Sequence, residues 1–266
     1  MNKIEKALEK AKQLKKVETV EKITQKEFNT PQYVQTKIIK ADLENLKKNK
    51  IIAAFKNNKV YEYYRFLRTQ ILQRTQERGW NSLLITSVMP GEGKTVTAIN
   101  LAITFAKEFT KTVLLVDADL RNPSIANFFG LNLEKGLSDY LINGEISLST
   151  LLVNPGIEKL VILPGGKAVS NATEILDTPR MEALVKEVKN RYPDRYIFFD
   201  SPPVLTYADA LVLSSYIDAV LLIVEVYKTT IEQVKKALEL LENKPLLGII
   251  LNKMPLTEKT ELYYLE

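Results

Sequence analysis

The chain contains no cysteine and no histidine, and it has a single tryptophan in 266 residues. Without cysteine there is no disulfide framework and no thiolate nucleophile. Without histidine the usual general base is missing, so proton transfer falls to Asp, Glu, Lys or Tyr. A Cys or His zinc site is excluded with them. Any metal site must be built from oxygen ligands, which points to Mg²⁺. No apolar run approaches the ~20 residues that span a bilayer. The opening MNKIEKALEKAKQLKK mixes both charge signs and lacks a signal-peptide core. The chain is therefore expected to be cytoplasmic, with peripheral attachment at the inner membrane through a partner.

What is present is ordinary for a globular protein: 45% hydrophobic and 26% charged residues, with a formal net charge of +5. That charge favours anionic partners only weakly. No nucleic-acid partner is expected, because no basic face interleaved with aromatics is visible. Residues 1–26 carry Ile4, Ala7 or Leu8, Ala11, Leu14 and Val17 at helical spacing, which predicts an exposed amphipathic helix. It is either a solvated helix or a docking helix for a partner or an anionic surface. Residues 27–56 are mixed and polar, consistent with a linker holding a short helix. Three segments result: helix and linker over 1–59, a domain over 60–256 and a tail over 257–266.

From Val60 the pattern changes. A helix is predicted over 60–77. Six apolar runs, Ser82–Thr86, Thr112–Val116, Leu160–Leu163, Tyr196–Phe199, Ala219–Val224 and Leu247–Leu251, have the continuous character of buried parallel strands. Helical patterns near 94–108, 137–142, 179–190, 208–216 and 229–242 lie between them. This alternation implies an α/β fold with a doubly wound, mostly parallel sheet, whose ligands bind beyond the carboxyl ends of the strands.

Four segments carry candidate chemistry. In SLLITSVMPGEGKTVTAINLA a strand runs through Gly91-Glu92-Gly93-Lys94-Thr95-Val96 into a helix, the setting of a P-loop. The glycines allow backbone N–H groups to face a phosphate, and the helix end adds its dipole. Lys94 suits the β/γ-phosphates and Thr95 suits Mg²⁺. Val88 stands where the common pattern has its first glycine, so this is a variant. In TVLLVDADLR, Asp117 and Asp119 follow a buried strand. In RYIFFDSPP, Asp200 takes the Walker B place, an acid at a strand end that holds Mg²⁺. In LLGIILNKM, Asn252 ends the last strand, where an amide either reads an adenine edge or closes an Asx turn.

With ITSVMPGEGKT, LLVDADLR and FFDSPP in place, the chain resembles the bacterial tyrosine kinases of capsule and exopolysaccharide synthesis. It looks most like their soluble, exosortase-associated autokinase branch. GLSDYL, LPGGKAVSNATEIL, the Asp209-Ala210 pair and the opening IEKALEKA add to the likeness, which covers roughly residues 60–256. The resemblance implies a P-loop NTPase fold of the ParA/MinD type and the cofactors ATP and Mg²⁺. It makes Lys94, Asp117 and Asp119 catalytic, with Asp117 activating a tyrosine hydroxyl. Thr95, Asp117, Asp119 and Asp200 become the metal-site residues.

Glu62, Arg65 and Arg68 match the family's E-x-x-R-x-x-R at a ring contact. They are expected along one helix side, with simple surface ion pairs as the alternative. Tyr263 and Tyr264 become phosphoacceptors for a neighbouring subunit. The partners implied are a homo-oligomeric ring and a separate membrane activator of the polysaccharide co-polymerase type. Two alternatives stay open: a ParA/MinD-type ATPase, although Met89 stands where those proteins carry a second lysine, and a nucleotide-switched assembly partner that phosphorylates nothing.

Overall fold

The computed structural model describes residues 36–55, 59–108, 110–192 and 194–255. The amphipathic helix expected over 1–26 and the tail tyrosines Tyr263 and Tyr264 lie outside them. The described chain opens with β1 (Lys37–Ile38), α1 (Leu43–Lys48) and a 3-10 turn at Ile52–Ala54. Next come α2 (Lys59–Gln76), β2 (Ser82–Ser87), α3 (Lys94–Ala106) and β3 (Thr112–Asp117). Three short helices follow, α4 (Ile125–Phe128), α5 (Leu137–Ile142) and α6 (Leu148–Leu151), then β4 (Val153–Asn154) and β5 (Leu160–Leu163). The last third holds α7 (Ala172–Leu176), α8 (Pro179–Arg191), β6 (Arg195–Asp200), α9 (Asp209–Leu213), β7 (Ala219–Glu225), α10 (Ile231–Leu240) and β8 (Leu246–Asn252).

The strands form one sheet in the order β1-β4-β5-β3-β6-β2-β7-β8. From β5 to β8 every neighbouring pair is parallel, as the apolar runs imply. Strand β4 runs antiparallel to β5, and β1 pairs with β4. Successive strand residues feed opposite faces. Leu84, Leu114, Val116, Ile197 and Phe199 join one core, onto which α8 lays Met181, Leu184, Val185 and Val188. Leu83, Ile85, Val113, Leu115, Tyr196 and Phe198 join the other, under α3. Burial on both faces explains why these strands are continuously apolar and do not alternate.

The segment expected to be a linker is instead partly woven into this core. Lys37 and Ile38 pair with Val153 and Asn154, and Leu46, Ile51 and Ala53 are buried under α3. Asn100 of α3 accepts a hydrogen bond from the Ala53 N–H (2.8 Å) and donates to the Lys50 carbonyl (3.2 Å). A two-residue strand is too short to show periodicity, so pattern alone gives no sign of β1.

The topology gathers strand ends. Asp117 of β3 stands opposite Asp200 of β6, and Asp200 stands opposite Ile85 of β2, two residues before that strand ends at Ser87.

Candidate active site

Beyond Ser87 the chain turns through Val88–Gly93 into α3. Gly91 (φ 83°) and Gly93 (φ 94°) both occupy left-handed backbone that a side chain rarely adopts. Gly93 caps α3 without any side-chain hydrogen bond to the helix. The first-turn N–H groups have no cap competing for them, which is the condition for an anion site. Helix α3 is long enough for its dipole to matter, at 13 residues.

The loop is braced from within. Glu92, expected to line the nucleotide, turns its carboxylate inward and is 1% exposed. Its Oε2 accepts from the Met89 N–H (2.9 Å), and its Oε1 accepts from the Thr229 hydroxyl. Asn252 donates its amide to the Glu92 carbonyl (2.7 Å), so that donor is engaged with the loop. Val96 lies partly buried in the first turn of α3, against the core under that helix.

Lys94 meets the acids here. Its Nζ donates to Asp119 Oδ2 at 2.7 Å and lies 3.7 Å from Asp200 Oδ2. Thr95 donates to Asp200 Oδ2 at 2.6 Å. Asp117 Oδ2 accepts from the Ser124 and Ile125 N–H groups at 2.8 and 2.9 Å. All three acids are buried, and the second oxygens of Asp117 and Asp200 have no hydrogen-bond partner. Burial, reinforced by the charge of Asp200, pushes the Asp117 carboxyl up to about 7. Burial also pushes Asp200 up to about 6, although Lys94 opposes the rise. Burial would discharge Lys94, but Asp200 and Asp119 outweigh it and raise its pKa, keeping the ammonium charged.

Among the described residues no group of three or more acidic side chains is gathered closely enough to hold an ion by itself. Asp119 pairs with Lys94, whose ammonium also lies 3.7 Å from Asp200. What remains suits Mg²⁺ in a P-loop, where phosphate oxygens and water complete the shell. The buried Asp200 oxygen without a donor, beside the Thr95 hydroxyl, is what such an ion would satisfy.

Two supporting features escape a reading by pattern. Gly165, in the PGGK loop after β5, packs so close to Asp117 that a Cβ there would lie 3.3 Å from the carboxyl carbon. Arg121 reaches across to fully buried Asp209 (2.9 and 3.2 Å) and to the Thr173 hydroxyl (2.9 Å), stacking over Tyr207. Thr173 in turn donates to Asp209. This network ties the loop after Asp119 to α7 and α9. Its hydrogen-bonded members lie in LLVDADLR, LPGGKAVSNATEIL and the Asp209-Ala210 pair, but nothing local in the sequence says that they meet.

Glu62, Arg65 and Arg68 do not share one side of α2. Six residues turn an α-helix through about 600°, which leaves the first and last of the three about 120° apart. Glu62 and Arg65 are exposed and pair with each other at 2.8 Å. Arg68 turns inward, bridges Glu108 (3.1 Å) and donates to the Thr104 carbonyl (3.0 Å).

Comparison with known proteins agrees with this geometry. A family model described as an AAA domain matches residues 83–245. Tyrosine-protein kinase YwqD of Bacillus subtilis is 37% identical over 205 residues, covering 76% of this chain and 85% of that protein. The kinase domain of the Escherichia coli tyrosine kinase ETK superposes with a TM-score of 0.68 at 31% identity, covering 74% of this chain and 78% of that one. The septum site-determining protein MinD of Pyrococcus horikoshii, solved with Mg-ADP, shares the fold at a TM-score of 0.57 and 24% identity, covering 67% of this chain and 72% of that one. With a P-loop nucleotide-binding fold, buried acids grouped round Lys94 and Thr95, and relatives of this identity over most of its length, the chain belongs to the bacterial tyrosine-protein kinases.

Proposed function

We propose that this kinase transfers the γ-phosphoryl of ATP to Tyr263 or Tyr264 in the tail of a neighbouring copy, and so regulates exopolysaccharide synthesis or export. The observation that carries the proposal is the junction of Lys94, Thr95, Asp119 and Asp200 at the start of α3, with Asp117 alongside. Lys94 exchanges Asp119 for the β/γ-phosphates and neutralises charge on the phosphoryl being transferred. Thr95 and the free oxygen of Asp200, with Asp117 and Asp119 alongside, would hold Mg²⁺, which would supply further charge neutralisation.

The tyrosine oxygen forms the new bond to phosphorus while the bond to the β-bridging oxygen breaks and ADP leaves. Asp117 Oδ1, which has no donor of its own, receives the hydroxyl proton. A tyrosine near ~10 stays protonated until the bond is forming, so the transfer is late. Residues 60–256 form the kinase domain, and the tail over 257–266 is its substrate. Exposed Glu62 and Arg65 face the next subunit of a ring. Phosphate added to the tails brings negative charge into that ring and loosens it. A separate membrane activator completes the system. No helix among the described residues is long and apolar enough to cross a membrane.

The test is incubation with MgATP followed by phosphopeptide mapping of wild type and Lys94→Ala. Phosphotyrosine at 263 or 264 is expected in wild type, with a loss of at least about 100-fold in the variant. Label released only as free phosphate would identify a ParA/MinD-type ATPase. No turnover of ATP would identify a nucleotide-switched assembly partner.

A further inference from the structure

The carboxyl end of β8 grips the phosphate loop at two consecutive carbonyls. Asn252 Nδ2 donates to the Glu92 carbonyl at 2.7 Å, and Lys253 Nζ donates to the Gly91 carbonyl at 2.7 Å. Lys253 has left-handed backbone (φ 60°), uncommon for a residue with a side chain. Its ammonium is also held by Glu225 Oε2 at 3.0 Å, a carboxylate that Lys228 braces at 3.2 Å. The approach at Asn252 is close: a Cβ on Gly93 would run into its amide nitrogen.

A peptide unit is planar, with its carbonyl and its N–H pointing to opposite sides. Fixing the Gly91 carbonyl therefore fixes the N–H of Glu92, and fixing the Glu92 carbonyl fixes the N–H of Gly93. Hydrogen bonding at the carbonyl also polarises the N–H across the same plane. These two amides lie between the two left-handed glycines, in the stretch where successive N–H groups form an anion nest. We infer that Asn252 and Lys253 are positioning residues: from behind the loop they aim two consecutive amide dipoles at the phosphates without touching the nucleotide. The inference rests on the nucleotide site proposed above.

Aiming amides at a diphosphate is a different role from touching the γ-phosphate, and binding data separate the two. Dissociation constants for MgADP and for a non-hydrolysable MgATP analogue are measured with full-length wild type, Lys253→Met, Lys253→Arg, Asn252→Ala and Lys94→Ala. Lys253 is 45% exposed, so its bond is partly screened. Lys253→Met is expected to weaken both ligands by the same factor, roughly fivefold. Asn252→Ala is expected to show the same equal loss, and Lys253→Arg to recover most of it. In turnover the KM for ATP rises while kcat holds, the mark of an interaction equal in ground and transition states.

Unchanged affinity in both Lys253→Met and Asn252→Ala would overturn the inference. So would loss of the ATP analogue alone, which would put Lys253 on the γ-phosphate. Each of the two variants stands in for the other should one fail to fold. Lys94→Ala keeps the outcomes distinct: if it binds both ligands as wild type does, the nucleotide site itself is misplaced.

Discussion

Asp117 is an acid in a place that resists its charge. An ordinary aspartate titrates near ~3.9, and burial beside Asp200 pushes this one up to about 7. The sign of the linkage follows. A carboxyl with a raised folded pKa binds its proton more tightly in the folded chain. Its stabilising contribution is present below about 4 and is lost as pH rises through about 7. Asp200, pushed up to about 6 for the same first reason, acts in the same direction. The chain has no histidine, so the window from pH 5 to 8 holds few other titrating groups. Thermal melts in chelator should therefore show the nucleotide-free protein losing on the order of 3 kcal/mol between pH 5 and pH 8. Asp117→Asn should flatten most of that dependence. A wild-type melting temperature that climbs over this range would contradict the assignment. Metal competes with the same protons, so stabilisation by Mg²⁺ should grow from pH 6 to pH 8.

Elements differ in how plainly the sequence announces them. Strands β2, β3, β6 and β7 are buried on both faces, so their apolar runs stand out, and the acids that end β3 and β6 are located with them. Lys94 and Thr95 are legible because glycine, strand and helix occur in a fixed order. Partners distant in sequence were not legible. Nothing local says that Asn252 reaches Glu92, that Arg121 reaches Asp209, or that residues 37–54 complete the sheet edge. The last point has a measurable consequence. Ile51 is fully buried beneath α3, and the adjoining turn hangs on Asn100. Urea unfolding of Ile51→Ala should show a loss of about 2–5 kcal/mol, the range for emptying a core site. A change within about 0.5 kcal/mol would mean that this segment is a loosely attached linker.

At the scale of the whole molecule, the parallel order from β5 to β8 sets the carboxyl ends of β2, β3 and β6 side by side, and chemistry collects in the crevice beyond such ends. The assembly proposed around that crevice separates two arginines that look alike in sequence. Arg65 and its partner Glu62 are exposed, so Arg65→Ala should leave the melting temperature nearly unchanged while lowering the mass measured by light scattering. Arg68 ties α2 to α3, so Arg68→Ala should lower the melting temperature before it affects assembly. The reverse pattern would place Arg68 at the subunit contact. The most direct measurement of the central claim mixes two chains with MgATP: a wild-type chain shortened to residues 1–256, and a full-length Lys94→Ala chain. Phosphotyrosine should appear at 263 or 264 of the Lys94→Ala chain, because an intact nucleotide site in one copy serves the tail of another. Absence of label in the mixture, while full-length wild type labels itself, would contradict transfer between subunits.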